Sequence, residues 1–119
     1  AGIAEGVLVV SSLHTTVAIT VNENEARLLD DIRDHFLRLT PPEARYRHND
    51  IHLRDCPPDE PENAHAHLIA MMLGNAEMLP VHQGRLDLGR WQSLLLVELD
   101  GPRQRQVAVQ IVGDSPVPA

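Results

Sequence analysis

The chain has 119 residues, enough for one hydrophobic core and too few for two independent domains, so residues 1–119 are expected to form a single domain. Hydrophobic residues make up 43% and charged residues 23%, a balance that argues against intrinsic disorder. The formal net charge of −7 has the wrong sign for a general nucleic-acid binder, which must neutralise phosphates. No nucleic-acid partner is therefore expected.

The cysteine count and the hydropathy of the chain limit which cellular compartments the protein can occupy. Cys56 is the only cysteine, which excludes an internal disulfide and a multi-cysteine zinc site. No apolar stretch approaches the roughly 20 residues that a bilayer requires, and no basic leader precedes the first apolar run. These features predict a cytoplasmic protein without a membrane partner.

The first part of the chain predicts two strands followed by a helix. Residues 6–13 and 17–21 are β-rich apolar runs. From Asn22 onward, apolar residues recur every three to four positions, which indicates one face of an amphipathic helix. Asn22 and Glu25 make a capping box at its start, and the Pro41-Pro42 pair ends it.

A proline-rich connection and a second helix follow. Residues 40–62 carry many prolines and charges, so we expect a surface connection with at most one extended piece at residues 46–53. Asn63 can cap a helix over residues 64–73, and Gly74 closes it in the left-handed conformation.

The remainder predicts β structure. Short strands at residues 79–82 and 86–88 flank Gly84, and residues 100–102 form the turn of a hairpin between strands 91–99 and 105–112. The last strand alternates apolar with other residues, so one of its faces is expected to be solvated or paired with another subunit.

Histidine is abundant, with seven copies, and most of them are grouped along the chain. Neutral imidazole is the commonest metal ligand and also an acid or base near neutral pH. The grouping indicates a metal or phosphate site. The grouped histidines are His14, His48, His52, His65, His67 and His82.

The strongest local signal is the segment that begins at Asn63. His65 and His67 can reach one ion if the first helical turn is irregular, but in a regular helix they diverge by about 200°. Asn63 and His67, four residues apart, do share a face. One site histidine with one surface or capping histidine is the alternative, and the pattern leaves both open.

The segment that contains His48 is a second candidate. If it is extended, His48, Asp50 and His52 lie on one side, at a spacing suited to metal ligands and their supporting groups. Solvated loop histidines are the alternative. Three histidines with an open position suit zinc, whereas magnesium prefers carboxylates.

Two further groups have both functional and structural interpretations. His14, Thr15 and Thr16 offer an imidazole and hydroxyls suited to phosphate oxygens or to acid–base chemistry, although threonine is also an ordinary strand residue. Glu23 can transfer a proton, or it can simply face water near a helix start. The sequence has no Walker loop, dinucleotide fingerprint or nucleophile elbow.

Several segments occur together in a family-like order. These are HTTVAITVNENE, Tyr46 to Asp50, NAHAHL, Gly74 and LPVHQGRLDLGRWQSLLLVELDGPRQR. The chain resembles the YjbQ family, some members of which are described as secondary thiamine-phosphate synthases, from about Gly2 to Gly113. The resemblance implies an α+β fold, with a large antiparallel β-sheet or sandwich and two α-helices, assembled as a homotrimer with sites near subunit contacts.

The resemblance also assigns roles to individual positions. It implies metal ligands at His48, His65 and His67, substrate contacts at Asn63 and Gln92, and catalytic groups at His14, Thr15, Thr16 and Glu23. Family chains usually begin with one or two further strands before the region equivalent to Gly2. Their absence leaves a sheet edge open or means that the sequence is incomplete.

Arg90 departs from the family, which usually has Thr there. Arg90 and Gln92 lie on one side of a predicted strand, so Arg90 is expected to bind a phosphate-bearing substrate if Gln92 lines the site. A surface ion pair of Arg90 with Asp87 or Glu98 is the alternative.

The implied reaction is a metal-assisted transfer that joins a pyrimidine pyrophosphate to a thiazole phosphate, with zinc or magnesium as cofactor and a small phosphorylated molecule as partner. The alternative is a non-catalytic trimeric module that holds a metal or small anion. A third hypothesis is a structural interaction domain with incidental histidines. Turnover assays separate the first two hypotheses, and elemental analysis separates them from the third.

Overall fold

The computed structural model describes residues 2–115, which form an α+β fold with antiparallel sheets and two helices, as the sequence predicts. One sheet has the strand order β4-β3-β1-β6, and the other pairs β2 with β5. The elements are β1 (Glu5–Ser12), β2 (Val17–Asn22), α1 (Ala26–Leu39), α2 (Ala64–Leu73), β3 (Ala76–His82), β4 (Arg85–Leu86), β5 (Ser93–Glu98) and β6 (Val107–Asp114). None of the described helices is long and apolar enough to cross a membrane.

The predicted hairpin between the last two long strands is wrong, because β5 and β6 pair with different partners. β6 pairs with β1, and β5 pairs with β2. Between these pairs, Leu99 donates its N–H to the Thr16 carbonyl at 3.2 Å, and Leu13 donates to the Gln106 carbonyl at 3.2 Å. The connection from β1 to β2 and the connection from β5 to β6 therefore run side by side. Each connection passes from one sheet to the other.

Strands β1 and β6 approach each other closely at a pair of glycines. Gly6 lies opposite Gly113 in the register. A Cβ at Gly6 would clash with the Val112 carbonyl, and a Cβ at Gly113 would clash with the Glu5 carbonyl. Any side chain at either position would therefore separate the two strands.

The buried core centres on β2 and α2. Val17, Ala18 and Ile19 are at most 1% exposed, and α2 packs on β2 through Ala66 and Ile69. By contrast, β6 has no buried residue, and Val109 is 60% exposed. The accessible surface is 8547 Å², against about 6,400 Å² for a compact monomer of this mass.

Helix α1 begins later than predicted. Its N-cap is Glu25, whose carboxylate accepts the N–H groups of Arg27 at 2.5 Å and Leu28 at 3.1 Å. Asn22 instead accepts the Glu23 N–H from the end of β2. The helix ends at Leu39, just before the Pro41-Pro42 pair, as expected.

Two other boundaries need correction. The piece at residues 46–53 is not extended but forms two short 3₁₀ turns, Arg47–Asn49 and Ile51–Leu53. The strand expected at residues 86–88 is only Arg85–Leu86, whose residues pair with His82 and Val81 of β3. Gln83 and Gly84 form that turn, with φ of 50° and 76°.

Candidate functional site

Two histidines from distant parts of the chain meet at the N-terminal end of α2. The ring centroids of His48 and His67 lie 4.7 Å apart, at an interplanar angle of 78°. They face an open cleft of about 750 Å³. The cleft is lined by Arg45, Tyr46, Arg47, His48, Ala64, His67 and Leu68.

Hydrogen bonds between side chains and the backbone place His48 beside the helix. The side chain of Asn49 accepts the N–H of Ala64, the first residue of α2, at 3.1 Å. Arg54 donates to the His48 carbonyl at 2.8 Å. The first 3₁₀ turn is thereby attached to the start of α2, one helical turn from His67.

Asn63 occupies the N-cap position but does not cap the helix with its side chain. Its amide donates instead to the Asp100 carboxylate at 2.7 Å, and Asn63 is only 7% exposed. Arg103 also contacts Asp100, at 3.0 Å. The side chain of Asn49 caps the helix instead. The side chain of Asn63 therefore holds Asp100, whose charge acts on His67.

His67 is held towards its neutral form. Burial lowers the pKa of His67 below its ordinary value, and the neighbouring His48 and Arg54 lower it further, while Asp100 acts in the opposite direction. A neutral imidazole can accept a proton or ligate a metal ion, and it gains a positive charge when an anion approaches.

A salt bridge links this region to the β1–β2 connection. Arg105, with a side chain only 10% exposed, donates to both oxygens of Glu98, at 2.7 and 2.6 Å. It also donates to the Thr16 hydroxyl at 3.0 Å and to the Asp100 carbonyl at 3.4 Å. The hydrogen bonds from Arg105 lower the pKa of Glu98 to about 2.

The predicted catalytic residues lie beyond the two ends of β2, three before the strand and one after it. The His14 ring accepts the Gln106 N–H through Nε2 at 2.7 Å, Thr15 is exposed, and Thr16 is buried against Arg105. Glu23 follows the opposite end of β2, about 20 Å from Thr16 at the usual rise per residue. Within one chain, His14 and Glu23 therefore do not serve one reacting centre.

The structure brings together two of the three predicted metal ligands. His65 lines a different cavity, between α1 and the β2–β5 sheet, so it does not share the cleft with His48 and His67. Within residues 2–115, no group of three or more His, Cys, Asp or Glu side chains could hold a metal ion. A zinc ion bound here would need ligands beyond His48 and His67.

Arg90 and Gln92 lie in a turn before β5, because the strand begins only at Ser93. The side-chain oxygen of Gln92, Oε1, accepts the Gly89 N–H at 2.7 Å and so closes the turn. The Arg90 guanidinium stacks 4.7 Å from the centre of the Trp91 ring. In the part of the chain described, Arg90 forms no ion pair with Asp87 or Glu98.

The remaining loop histidines lie elsewhere. His52 lines a separate shallow depression, while Asp50 binds Arg45 at 2.6 Å, so the expected alignment of His48, Asp50 and His52 is wrong. The cause is the pair of 3₁₀ turns, which replaces the alternation of an extended segment. His82 pairs with Glu5 at 2.9 Å, across the β1–β3 ladder.

Sequence reasoning missed Asp100, Arg105, Asn49 and Arg54. The sequence predicts Asp100 only as a turn residue, in a hairpin that the structure does not form. Asn49 and Arg54 act through the backbone of neighbouring segments, which no local spacing indicates. Arg105 was predicted only as the first residue of the last strand, and no spacing indicated its pair with Glu98.

Comparison with known proteins assigns the family. The family model for UPF0047 protein YjbQ-like matches residues 1–114. The chain belongs to the YjbQ-like UPF0047 family. The UPF0047 protein of Methanothermobacter thermautotrophicus is 45% identical over 112 residues, which are 94% of this chain and 72% of that protein. The UPF0047 protein YjbQ of Salmonella typhimurium is 37% identical and covers 83% of this chain and 69% of its own length.

Solved structures share the YjbQ-like fold. A hypothetical protein from Aeropyrum pernix K1 superposes with a TM-score of 0.84 at 42% identity, over 95% of this chain and 78% of that one. A YbjQ-like protein of unknown function from Sulfolobus solfataricus P2 has a TM-score of 0.83 at 41% identity, over 95% and 76%. These similarities support the family fold at the level of overall architecture.

Proposed function

We propose that the His48–His67 cleft binds a small phosphate-bearing anion and that the chain acts as a binding module without chemistry of its own. The observation that carries this proposal is the contact between the two imidazoles, 4.7 Å apart, in a cleft that Arg47 also lines. Arg47 forms no ion pair among the described residues, so its guanidinium is available to a ligand.

Local charge supports this choice of ligand. The net charge of −7 means that the protein's overall field repels anions, so binding must rest on nearby cations. Arg47 offers a planar fork of donors that matches phosphate oxygens. The ring nitrogens of His48 and His67 can add further hydrogen-bond donors in the same cleft.

Assembly of several copies belongs to the same proposal. The accessible surface exceeds that of a compact monomer, and the apolar side chains of Leu96 and Val109 are more than half exposed. A homotrimer would cover such surfaces and the edges of both sheets. Light scattering at micromolar concentration tests it, and the mass of a single chain would contradict it.

The transferase implied by the resemblance is the second candidate, favoured by the neutral state of His67, which can accept a proton. Joining the two halves of thiamine phosphate also requires stabilisation of departing pyrophosphate, for which Arg47 is a candidate. Zinc or magnesium could contribute if ligands from elsewhere joined His48 and His67. Turnover of the pyrimidine pyrophosphate and thiazole phosphate by purified protein, with each metal added, tests this candidate.

Calorimetric titration with pyrophosphate tests the binding proposal. His48→Gln removes one imidazole from the cleft and should weaken binding by about tenfold, as expected for loss of a charge-assisted hydrogen bond. His52→Gln is the matched control, because His52 is four residues away and lines another depression. Equal affinity of the two variants, or no binding by the unmodified protein, would contradict the proposal.

A further inference from the structure

Asn63 joins the first turn of α2 to a distant segment of the chain. Its carbonyl accepts the N–H of His67 at 3.3 Å, as in the first turn of a regular helix. Its side-chain amide leaves the helix and donates to the carboxylate of Asp100, 37 residues further along, at 2.7 Å. The side chain of Asn63 thus attaches the start of α2 to the connection between β5 and β6.

Asp100 is itself held by three other residues. Its N–H donates to the Glu98 carboxylate at 3.0 Å, and its carbonyl accepts from Arg105 at 3.4 Å. Arg103 contacts its carboxylate at 3.0 Å. The Arg105 side chain is only 10% exposed and also binds Glu98. Asp100 therefore offers Asn63 a fixed acceptor.

The next residue of α2 is attached to a different segment. The N–H of Ala64 donates to the side chain of Asn49, which directly follows His48, at 3.1 Å. The start of α2 is thus held by the segment that carries His48 and, one residue earlier, by the β5–β6 connection. The contact between the rings of His48 and His67, with centroids 4.7 Å apart, depends on where this helix start lies.

Charge alone does not account for a carboxylate at this place. Asp100 acts on His67 in the direction that raises its pKa, so its field reaches the cleft. The same field repels an anionic ligand, and Arg103 offsets it only in part. The hydrogen bond to Asn63 gives the carboxylate a role that does not oppose anion binding.

We propose that Asp100 is a positioning residue of the His48–His67 cleft. Acting through Asn63, it fixes the first turn of α2 and so holds His67 against His48. Its effect on affinity rests on the anion-binding function proposed above, whereas its effect on the ring contact does not.

Pyrophosphate titrations at pH 8, where the lowered pKa of His67 keeps that ring neutral, separate positioning from charge. Asp100→Ala removes the acceptor of the Asn63 amide and should weaken binding by about tenfold. Asp100→Asn keeps an oxygen acceptor without the charge and should bind at least as tightly as the unmodified protein. Unweakened binding by Asp100→Ala, or equal weakening by both variants, would overturn the proposal.

Two further variants complete the titrations. Asp87→Ala removes an exposed carboxylate outside this network and is the matched control, for which no loss is expected. Asn63→Ala breaks the same hydrogen bond from the other side, which keeps the test decisive if Asp100→Ala fails to fold. Combining Asn63→Ala with Asp100→Ala should add no further loss, because one bond is removed twice. Additive losses would mean that Asp100 does not act through Asn63.

NMR of the histidine rings tests the positioning role without a ligand. The nuclear Overhauser contact between the rings of His48 and His67 should be present in the unmodified protein and in Asp100→Asn, and lost in Asp100→Ala. An unchanged ring contact in Asp100→Ala would overturn the proposal. Loss of that contact, in a protein whose unmodified form binds no pyrophosphate, would support the positioning role and overturn only the anion-binding function.

Discussion

The two helices differ in how their sequences relate to their surroundings. Helix α1 has a clear apolar stripe and charged outer residues, yet no residue of it is buried. Helix α2 is apolar on nearly all sides, packs on β2, and buries Ala64, Ala66, Ile69 and Ala70. The less amphipathic helix is thus the better packed one, and it is also the helix that carries His67.

This difference shows that the burial of a helix depends on what packs against it more than on an ideal amphipathic pattern. His67 projects from a helix fixed by its own core contacts and by the side chain of Asn49 at its first turn. The helix with the ideal pattern instead leaves a cavity beneath it. A side chain on a rigid element keeps its geometry better than one on a loosely packed element.

The same substitution in each helix gives the largest expected contrast. Ile69→Ala removes a side chain that is 3% exposed, so we expect a loss of about 2–5 kcal/mol in the free energy of unfolding. Ile32→Ala removes a half-buried side chain beside the cavity, and its cost should be less than half as large. Urea denaturation measures both, and similar losses would mean that α1 is packed as tightly as α2.

Removing the ion pair behind the site should have a smaller effect. Arg105→Gln deletes a largely buried guanidinium that bonds Glu98 and Thr16, and we expect a loss of about 2 kcal/mol. Arg103→Gln is the matched control, since its pair with Asp100 is 46% exposed on the arginine side and is worth about 0–1 kcal/mol. The account fails here if thermal unfolding ranks the two variants in the opposite order.

The start of α1 provides a third test. Glu25→Ala removes the carboxylate that accepts two helix N–H groups, at a cost of about 1 kcal/mol in unfolding free energy. Asn22→Ala, at the position first expected to cap the helix, should cost only a few tenths of that. Chemical denaturation of both variants measures these losses. A larger loss for Asn22→Ala would mean that Asn22, and not Glu25, caps the helix.

The smallest expected effect is the pH dependence due to His67. Its folded-state pKa is below the ordinary 6.5, so its contribution to stability is fully present above that value and is lost as pH falls towards the lowered pKa. His82 acts in the opposite sense, because its hydrogen bond to Glu5 raises its pKa. Comparison with His67→Gln therefore isolates the effect: below pH 6.5 the unmodified protein should lose more stability than the variant.

Much of the fold was predictable because apolar periodicity and helix-ending residues act over a few neighbouring positions. The first two strands, the end of α1 before Pro41 and the span of α2 up to Gly74 follow from apolar spacing and backbone restrictions. The pairing of β5 and β6 was not predictable in this way. Their partners depend on the side-by-side connections between the sheets, which join residues far apart in sequence.

The candidate site was only partly predictable for the same reason. The histidine pattern indicated His48 and His67, and the structure brings their rings together. The helical repeat predicts that His65 and His67 point in different directions, and the two residues line different cavities. Asp100 and Arg105 could not be found from spacing, because they join the site through the connection between β5 and β6.

Histidine NMR with and without pyrophosphate tests the central claim most directly, since it reports on the two imidazoles at the proposed binding cleft. Without ligand, the His67 pKa should lie below 6.5, owing to burial and its cationic neighbours. Pyrophosphate should raise the pKa of His67, because a nearby anion favours the protonated imidazole. It should also shift the ring resonances of His48 and leave those of His52 unchanged. An unchanged His67 pKa together with unshifted His48 ring resonances at saturating pyrophosphate would contradict the account.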